Sequence, residues 1–299
     1  MPLSDNLRGV LLMCGAMLAF VVNDTFVKAV TQTMPLFQAI LLRGALASFA
    51  LVAISVATTG GLQVWPRGQD RKFLFLRTLG ELGATLFFLL ALVHMPLANL
   101  SAIMQSLPLA VTMTAALIFG DKIGWRRMLA ILAGFVGVMI IIRPGAMAFD
   151  RWSILGLVSV AFVVLRDLAT RKFSRSISSV AVSIWASLAV MLMGLIGVGV
   201  QGWQPVSLEQ GGLIVGSAVF LIVGYICAVK TMRVGDIGIV APFRYTSLLW
   251  AILLGWLLFG SLPDQWTLVG SAVVVASGVY MLLRERKLRM MLRDAGEAG

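Results

Sequence analysis

Residues 96–145 read PLANLSAIMQSLPLAVTMTAALIFGDKIGWRRMLAILAGFVGVMIIIRPG, two long apolar runs on either side of a short basic turn. The plan returns at residues 237–286, IGIVAPFRYTSLLWAILLGWLLFGSLPDQWTLVGSAVVVASGVYMLLRER. At an offset of 140, Phe119-Gly120 falls on Phe259-Gly260, Leu97 on Ile237, Ala98 on Gly238 and Gly134 on Val274. The start of the chain has its own echo. At an offset of 143, Asn23-Asp24 falls on Arg166-Asp167 and Lys28 on Arg171. Two similar halves are therefore expected, with a small insertion or deletion inside one of them.

Composition says what solvent these runs need. Of 299 residues, 60% are hydrophobic and 12% charged. A soluble domain has about 25% charged residues, so much of this chain must face lipid. A spanning helix needs about 20 mostly apolar residues. Ten stretches qualify: 7–30, 34–58, 71–93, 97–119, 125–142, 152–172, 178–200, 207–232, 237–259 and 265–284. The run from Leu7 to Val30 lacks an A-x-A cleavage site and is followed at once by further spans, so it reads as a span and not a signal peptide. The charged tail after Arg284 reads as a solvated end. Cys14 and Cys227 sit inside apolar runs and read as packing residues, with no disulfide framework and no metal site.

The net charge of +11 would suggest nucleic acid in a soluble protein. Here the cations lie between apolar runs, so the charge reads as an orientation signal and no nucleic-acid partner is expected. With the N-terminus in the cytoplasm, Lys28, Arg143 and Arg151 are outside, Arg43, Arg77, Arg166 and Arg244 are within spans, and the other seventeen of the 24 basic residues are inside. Ten spans with both ends cytoplasmic follow. Five spans per half make the second half enter from the opposite face. The expected fold is an all-α integral membrane protein of ten helices, arranged as two inverted five-helix repeats. Inverted repeats are the architecture of secondary transporters, in which two similar halves exchange conformations around a midplane site.

The PLANLSAI…FGDKIGWRR…GFVGVMIIIRPG run, its second-half counterpart and the LLRGALAS run of span 2 resemble the drug/metabolite transporter superfamily, and within it proteins with two EamA-type domains. The resemblance covers about residues 7–284. It implies repeats at 7–145 and 152–286, a cytoplasmic tail at 287–299, and a carrier in the bacterial inner membrane with no ATPase domain. Family members move amino acids, nucleotide-like metabolites, vitamins or drugs. The branch exporting aromatic and other neutral amino acids is the leading expectation. The LLRG and PLANLSAI phrasing is also similar to a branch that imports S-adenosylmethionine or riboflavin. The acidic residue that often follows FG in this family is Asp121 in the first half, and the second half has Ser261 there.

Ionisable groups inside spans cost about 2.5–3.5 kcal/mol on insertion scales, so each marks a candidate site. Asp24 and Arg43 lie ~9 and ~13 Å from the outer ends of spans 1 and 2 at 1.5 Å per residue. With Asn23 they suit an outer gate, a clamp for a zwitterion, or a static pair. Arg77 and Glu81 are four residues apart on one face of span 3. Arg166, Asp167 and Arg244 fall at matching depth, and the five together suit an inner gate. Snorkelling is the competing reading for Arg77 and Arg166, and Glu81 is also a candidate for proton coupling. Pro242, Arg244 and Tyr245 interrupt span 9 where Gln105 and Pro108 interrupt span 4, and broken polar spans point to a midplane site. Trp185 and Tyr225 are candidate ring contacts for a substrate. Trp65, Trp125, Trp152, Trp203 and Trp266, near span ends, read as interfacial anchors, and so does His94. The small residues Gly134, Gly137, Gly270, Ser271, Ser277 and Gly278 suit close helix approach, either within the chain or in a homodimer.

The chain has no G-x-x-x-x-G-K-[ST], H-E-x-x-H, CxxC or G-x-S-x-G, the marks of pumps, zincins, redox proteins and serine hydrolases. No catalytic residue, cofactor or metal is expected. An integral membrane enzyme on lipid substrates is the reading from another class, and a channel is a third. The partners expected are a small-molecule substrate and the bilayer, with the chain a monomer or a homodimer.

Overall fold

The computed structural model describes residues 5–59, 70–120, 124–143, 150–173, 179–231, 234 and 236–297. Trp65, Arg67, Asp121, Lys122, Gly145, Arg175 and Arg233 lie outside them. The helices are α1 (Asp5–Val30), α2 (Leu36–Thr59), α3 (Asp70–His94), α4 (Leu97–Met104), α5 (Leu107–Phe119), α6 (Trp125–Ile142), α7 (Trp152–Arg171), α8 (Ser179–Gln201), α9 (Leu208–Thr231), α10 (Ile237–Val240), α11 (Thr246–Phe259) and α12 (Gln265–Glu297). A five-residue 3₁₀ turn, Ala241–Tyr245, joins α10 to α11. Ten helices among the described residues are long and apolar enough to cross a membrane, with α4–α5 and the 3₁₀–α11 run each counted as one. Helices are what such a chain must form, because lipid offers no partner to a free N–H or C=O.

The span boundaries agree with the sequence reading to within a few residues, the last span being Gln265–Arg284. Beyond it α12 continues as a helix to Glu297. The run RERKLRMMLRDAGE is made mostly of good helix formers, so the helix outlasts the apolar segment.

The two halves end their fourth spans in the same way. Gly120 (φ +70°) and Gly260 (φ +61°) are both left-handed, a conformation that glycine adopts without a Cβ clash. Each donates its N–H at 3.0 Å to the carbonyl four residues back, Ala116 or Trp256. These pairs are 140 residues apart, as are the starts of α6 and α12. The caps differ. Gly124 precedes α6 with no side-chain cap, whereas Asp264 accepts the Thr267 N–H at 2.7 Å. Asp264 also bonds Arg143, the one described non-glycine residue at positive φ (+50°). A left-handed L-residue costs about 1–2 kcal/mol, and this ion pair offsets part of that cost.

The chain divides into two compact units. The first holds Val22–Met95 and Arg151–Ile222. In it α2 packs on α8 and α3 on α7, and the end of α1 meets the middle of α9 through Phe26 and Phe220, ring centroids 5.9 Å apart. Val30, Met34, Ala39 and Ile214 form a buried cluster. Buried Gln38 donates to the Gln204 carbonyl at 2.8 Å and accepts the Gln204 N–H at 3.0 Å. His94 stacks on Trp152 with centroids 3.6 Å apart. The second unit holds the chain up to Val21, Pro96–Asp150 and Val223 onward. Its main packing is α6 on α12. A Cβ on Gly137 would lie 2.8 Å from the Gly270 carbonyl oxygen, and one on Gly270 would lie 2.6 Å from that of Gly137. These small residues therefore serve close approach within the chain.

Gly270→Leu is expected to lower the thermal midpoint of the detergent-solubilised protein through overpacking of about 1–3 kcal/mol, whereas Gly15→Ala, with open space around it, leaves it within a degree or two. Asp264 titrates below its ordinary value. Partial burial pushes it up, but the Thr267 hydrogen bonds and the Arg143 guanidinium outweigh that. The charge therefore stabilises the fold at neutral pH, and that contribution is lost as pH falls through the lowered value. Asp264→Asn should melt earlier than wild type at pH 7, and the two curves should converge in acid.

Candidate functional site

The first unit gathers most of the in-span charges. Glu81 lies in the middle of α3 with Arg77 one turn before it, and their charged ends are 3.8 Å apart. Arg166 reaches the same Glu81 oxygen from α7 at 3.5 Å. Arg166 also donates from Nε to Asp167 at 3.0 Å. Two cations and two anions thus make a chain of zero net charge, Arg77–Glu81–Arg166–Asp167, with every side chain only partly exposed. Neutrality and mutual contact are what a charge away from water requires, since an uncompensated one is the costly case. The approach of α7 is close because a Cβ on Gly80 would lie 2.8 Å from the Arg166 backbone nitrogen. One turn or so further along, Phe87 stacks on Phe162 at 5.5 Å and 17°, and Ser159 donates to the Ala84 carbonyl at 3.0 Å.

The same unit holds a polar counterpart. Asn23 donates to Asp24 at 2.9 Å, and buried Ser217 on α9 donates to the Asn23 side-chain oxygen at 2.7 Å. The correspondence extends to the residues. Asn23-Asp24 and Arg166-Asp167 are 143 apart, and in both the first residue donates to the carboxylate of the second. Their partners, Ser217 and Glu81, sit in Gly216-Ser217 and Gly80-Glu81, 136 apart. One of the two related cross-links is therefore charged and the other neutral. Ser217 went unnoticed in the sequence, although the repeated Gly-polar pair was the available signal. The charge of Arg43 on α2 also acts on Asp24. Lys28 reaches the carbonyls of Leu92 at 2.6 Å and Met95 at 3.0 Å, a cation on the negative end of α3. Trp185 of α8 is half-buried.

The second unit holds the other candidates. Span 4 breaks at Gln105-Ser106, between α4 and α5, and the 3₁₀ turn at Ala241–Tyr245 interrupts the ninth span. Buried Gln105 donates to the Ser247 hydroxyl at 2.7 Å, and Ser247 donates in turn to the Arg244 carbonyl at 3.1 Å. The two broken segments are thereby linked, with Arg244 held by its backbone. Tyr245 is buried, with its hydroxyl against Gly278. Tyr225 is half-exposed and meets Phe20 edge-on, centroids 5.5 Å apart.

Ten helices long and apolar enough to cross a membrane, with charges paired inside them, define a multi-pass membrane protein. The chain belongs to the EamA-like transporter family, which it matches over residues 7–143 and 150–284. It is a transporter and not an enzyme. It is 28% identical to the riboflavin transporter of Vibrio cholerae over 94% of this chain and 95% of that one. It is 24% identical to the pseudopaline exporter of Pseudomonas aeruginosa over 91% of this chain and 95% of that one. It is 24% identical to the S-adenosylmethionine uptake transporter of Rickettsia conorii over 64% of this chain and 65% of that one. A crystal structure 18% identical in sequence shares the fold, with a TM-score of 0.63 over 94% of this chain and 98% of that one.

Hydrogen bonds to charged groups are worth about 1.5–3 kcal/mol, so Arg166→Gln should lower the thermal midpoint while leaving folded protein. In a double-mutant cycle with Glu81→Gln the coupling should exceed about 0.5 kcal/mol, the scatter expected of independent sites. An additive cycle would mean that the two side chains do not act on each other.

Proposed function

We propose that this protein is a secondary carrier in the bacterial inner membrane, with both termini in the cytoplasm, that moves a small organic metabolite by alternating access between two inverted repeats, 7–145 and 152–286. The observation that carries this reading is the pair of related cross-links, Arg166–Glu81 and Ser217–Asn23. Inverted repeats put equivalent positions at opposite faces of the membrane. A link that closes one face therefore has its counterpart at the other, and transport alternates between breaking one and breaking the other. In this reading Arg77, Glu81, Arg166 and Asp167 act at the inner gate. Asn23, Asp24 and Arg43 act at the outer gate or on substrate. Gln105, Arg244 and Tyr245, at the broken spans, contact substrate, with Trp185 and Tyr225 as ring contacts. The neutral link is the weaker of the two, so the outer face opens more readily.

The leading substrate class is the neutral and aromatic amino acids, moved outward, because Asp24 and Arg43 offer opposite charges to an ammonium and a carboxylate. The relationship to the riboflavin and S-adenosylmethionine transporters supports a second reading, uptake of a metabolite of that kind. The aromatic members of the first class share with riboflavin and S-adenosylmethionine a flat ring joined to a polar tail.

Proteoliposomes should show saturable counterflow with one of three probes: an aromatic amino acid, riboflavin or S-adenosylmethionine. Glu81→Gln and Arg244→Ala should each reduce that flux to background while the protein stays folded and monodisperse. Wild-type flux in both variants would sink the site assignment, and flux without saturation or counterflow would indicate a channel.

A further inference from the structure

The transport reading makes no use of the groove between α6 and α12. It lies within the second unit and is an open groove of about 460 Å³. Its apolar wall is Leu129, Ala133 and Ala276, and its mouth is Trp125, Arg126 and Tyr280. Trp125 is 68% exposed, Leu129 56% and Tyr280 46%. In a membrane-spanning chain such surface faces acyl chains. Trp125 opens α6, so this end of the groove is at a span boundary, where Trp and Tyr sit at headgroup level. The Arg126 guanidinium lies over the Trp125 ring, 5.2 Å from its centroid. It is exposed and makes no ion pair among the described residues. It also stands in the first turn of an 18-residue helix, where the helix dipole adds positive potential.

The repeat supplies an internal comparison. At an offset of 140, Trp125-Arg126-Arg127 falls on Gln265-Trp266-Thr267, and Gly124 falls on Asp264. The interfacial tryptophan persists, one position along. The cations do not, and an acid stands at the cap. Packing of α6 on α12 therefore does not require the arginines.

We propose that this groove binds an anionic phospholipid, with the phosphate on Arg126, the glycerol region between Trp125 and Tyr280, and an acyl chain along Leu129, Ala133 and Ala276. Basic pockets between membrane helices bind anionic headgroups. The site recognises the charge of the headgroup and the length of an apolar tail, so a zwitterionic lipid of equal chain length is a poorer ligand. The inference is independent of which metabolite is carried.

Native mass spectrometry of the delipidated full-length protein, titrated with phosphatidylglycerol or phosphatidylcholine, tests it. Wild type should retain phosphatidylglycerol about fivefold over phosphatidylcholine, the size of one interfacial cation–anion contact. Arg126→Gln should lose that preference, and Arg8→Gln, which removes an exposed cation at the start of α1, should keep it. Equal retention of the two lipids by wild type would overturn the proposal without reference to any variant. So would an Arg126→Gln protein that keeps the preference. A dimer cross-linked through Ala276→Cys whose yield lipid does not change would seat a second copy in the groove and overturn it as well.

Discussion

One carboxylate, Glu81, organises the first unit. It sits in mid-span on α3 and is reached by one arginine from its own helix and another from α7. In a medium that hydrates no ion, a lone carboxylate at that depth would be too costly to keep. Arg77 and Arg166 neutralise it, and Asp167 neutralises the cation left over. The close approach of α7 to Gly80 follows from the same need, because a bulkier residue there would hold Arg166 away from Glu81.

The same geometry recurs in a second link with other chemistry. Ser217 to Asn23 replaces Glu81 to Arg166, and Asn23 to Asp24 replaces Arg166 to Asp167. A neutral hydrogen bond costs less to break than a charge-assisted one, so the two links differ in strength although the sequence plan repeats. A similar inequality separates the starts of α6 and α12. Both begin just after a left-handed glycine turn, but one presents arginines and the other an aspartate that holds Arg143 in a strained conformation. In each case the frame repeats and the chemistry diverges.

Much of the fold was legible because the bilayer makes it so. Apolar runs of span length have to be helices, and the offset of 140 between Gly120 and Gly260 reappears as matched left-handed caps. The grouping of Arg77, Glu81, Arg166 and Asp167 could be anticipated from depth alone, since charges at one level in lipid have to find each other. Asp24 accepts a hydrogen bond from its neighbour Asn23, and the charge of Arg43 also acts on it. Ser217, Gln38 and Ser247 were passed over because a small or neutral polar residue in an apolar run gives no sign of its partner. The end of an apolar stretch marks where lipid stops and carries no signal for where the helix stops, which for α12 is Glu297.

The sequence by itself determined the solvent, the number of spans and the existence of a repeat, since these depend only on the order of apolar and polar residues along the chain. Tertiary structure alone decided which polar residues meet. Ser217 and Asn23 are 194 positions apart, and Gln105 and Ser247 are 142 apart. No local pattern encodes such pairings. They arise when helices pack closely enough that each buried donor has one acceptor within reach.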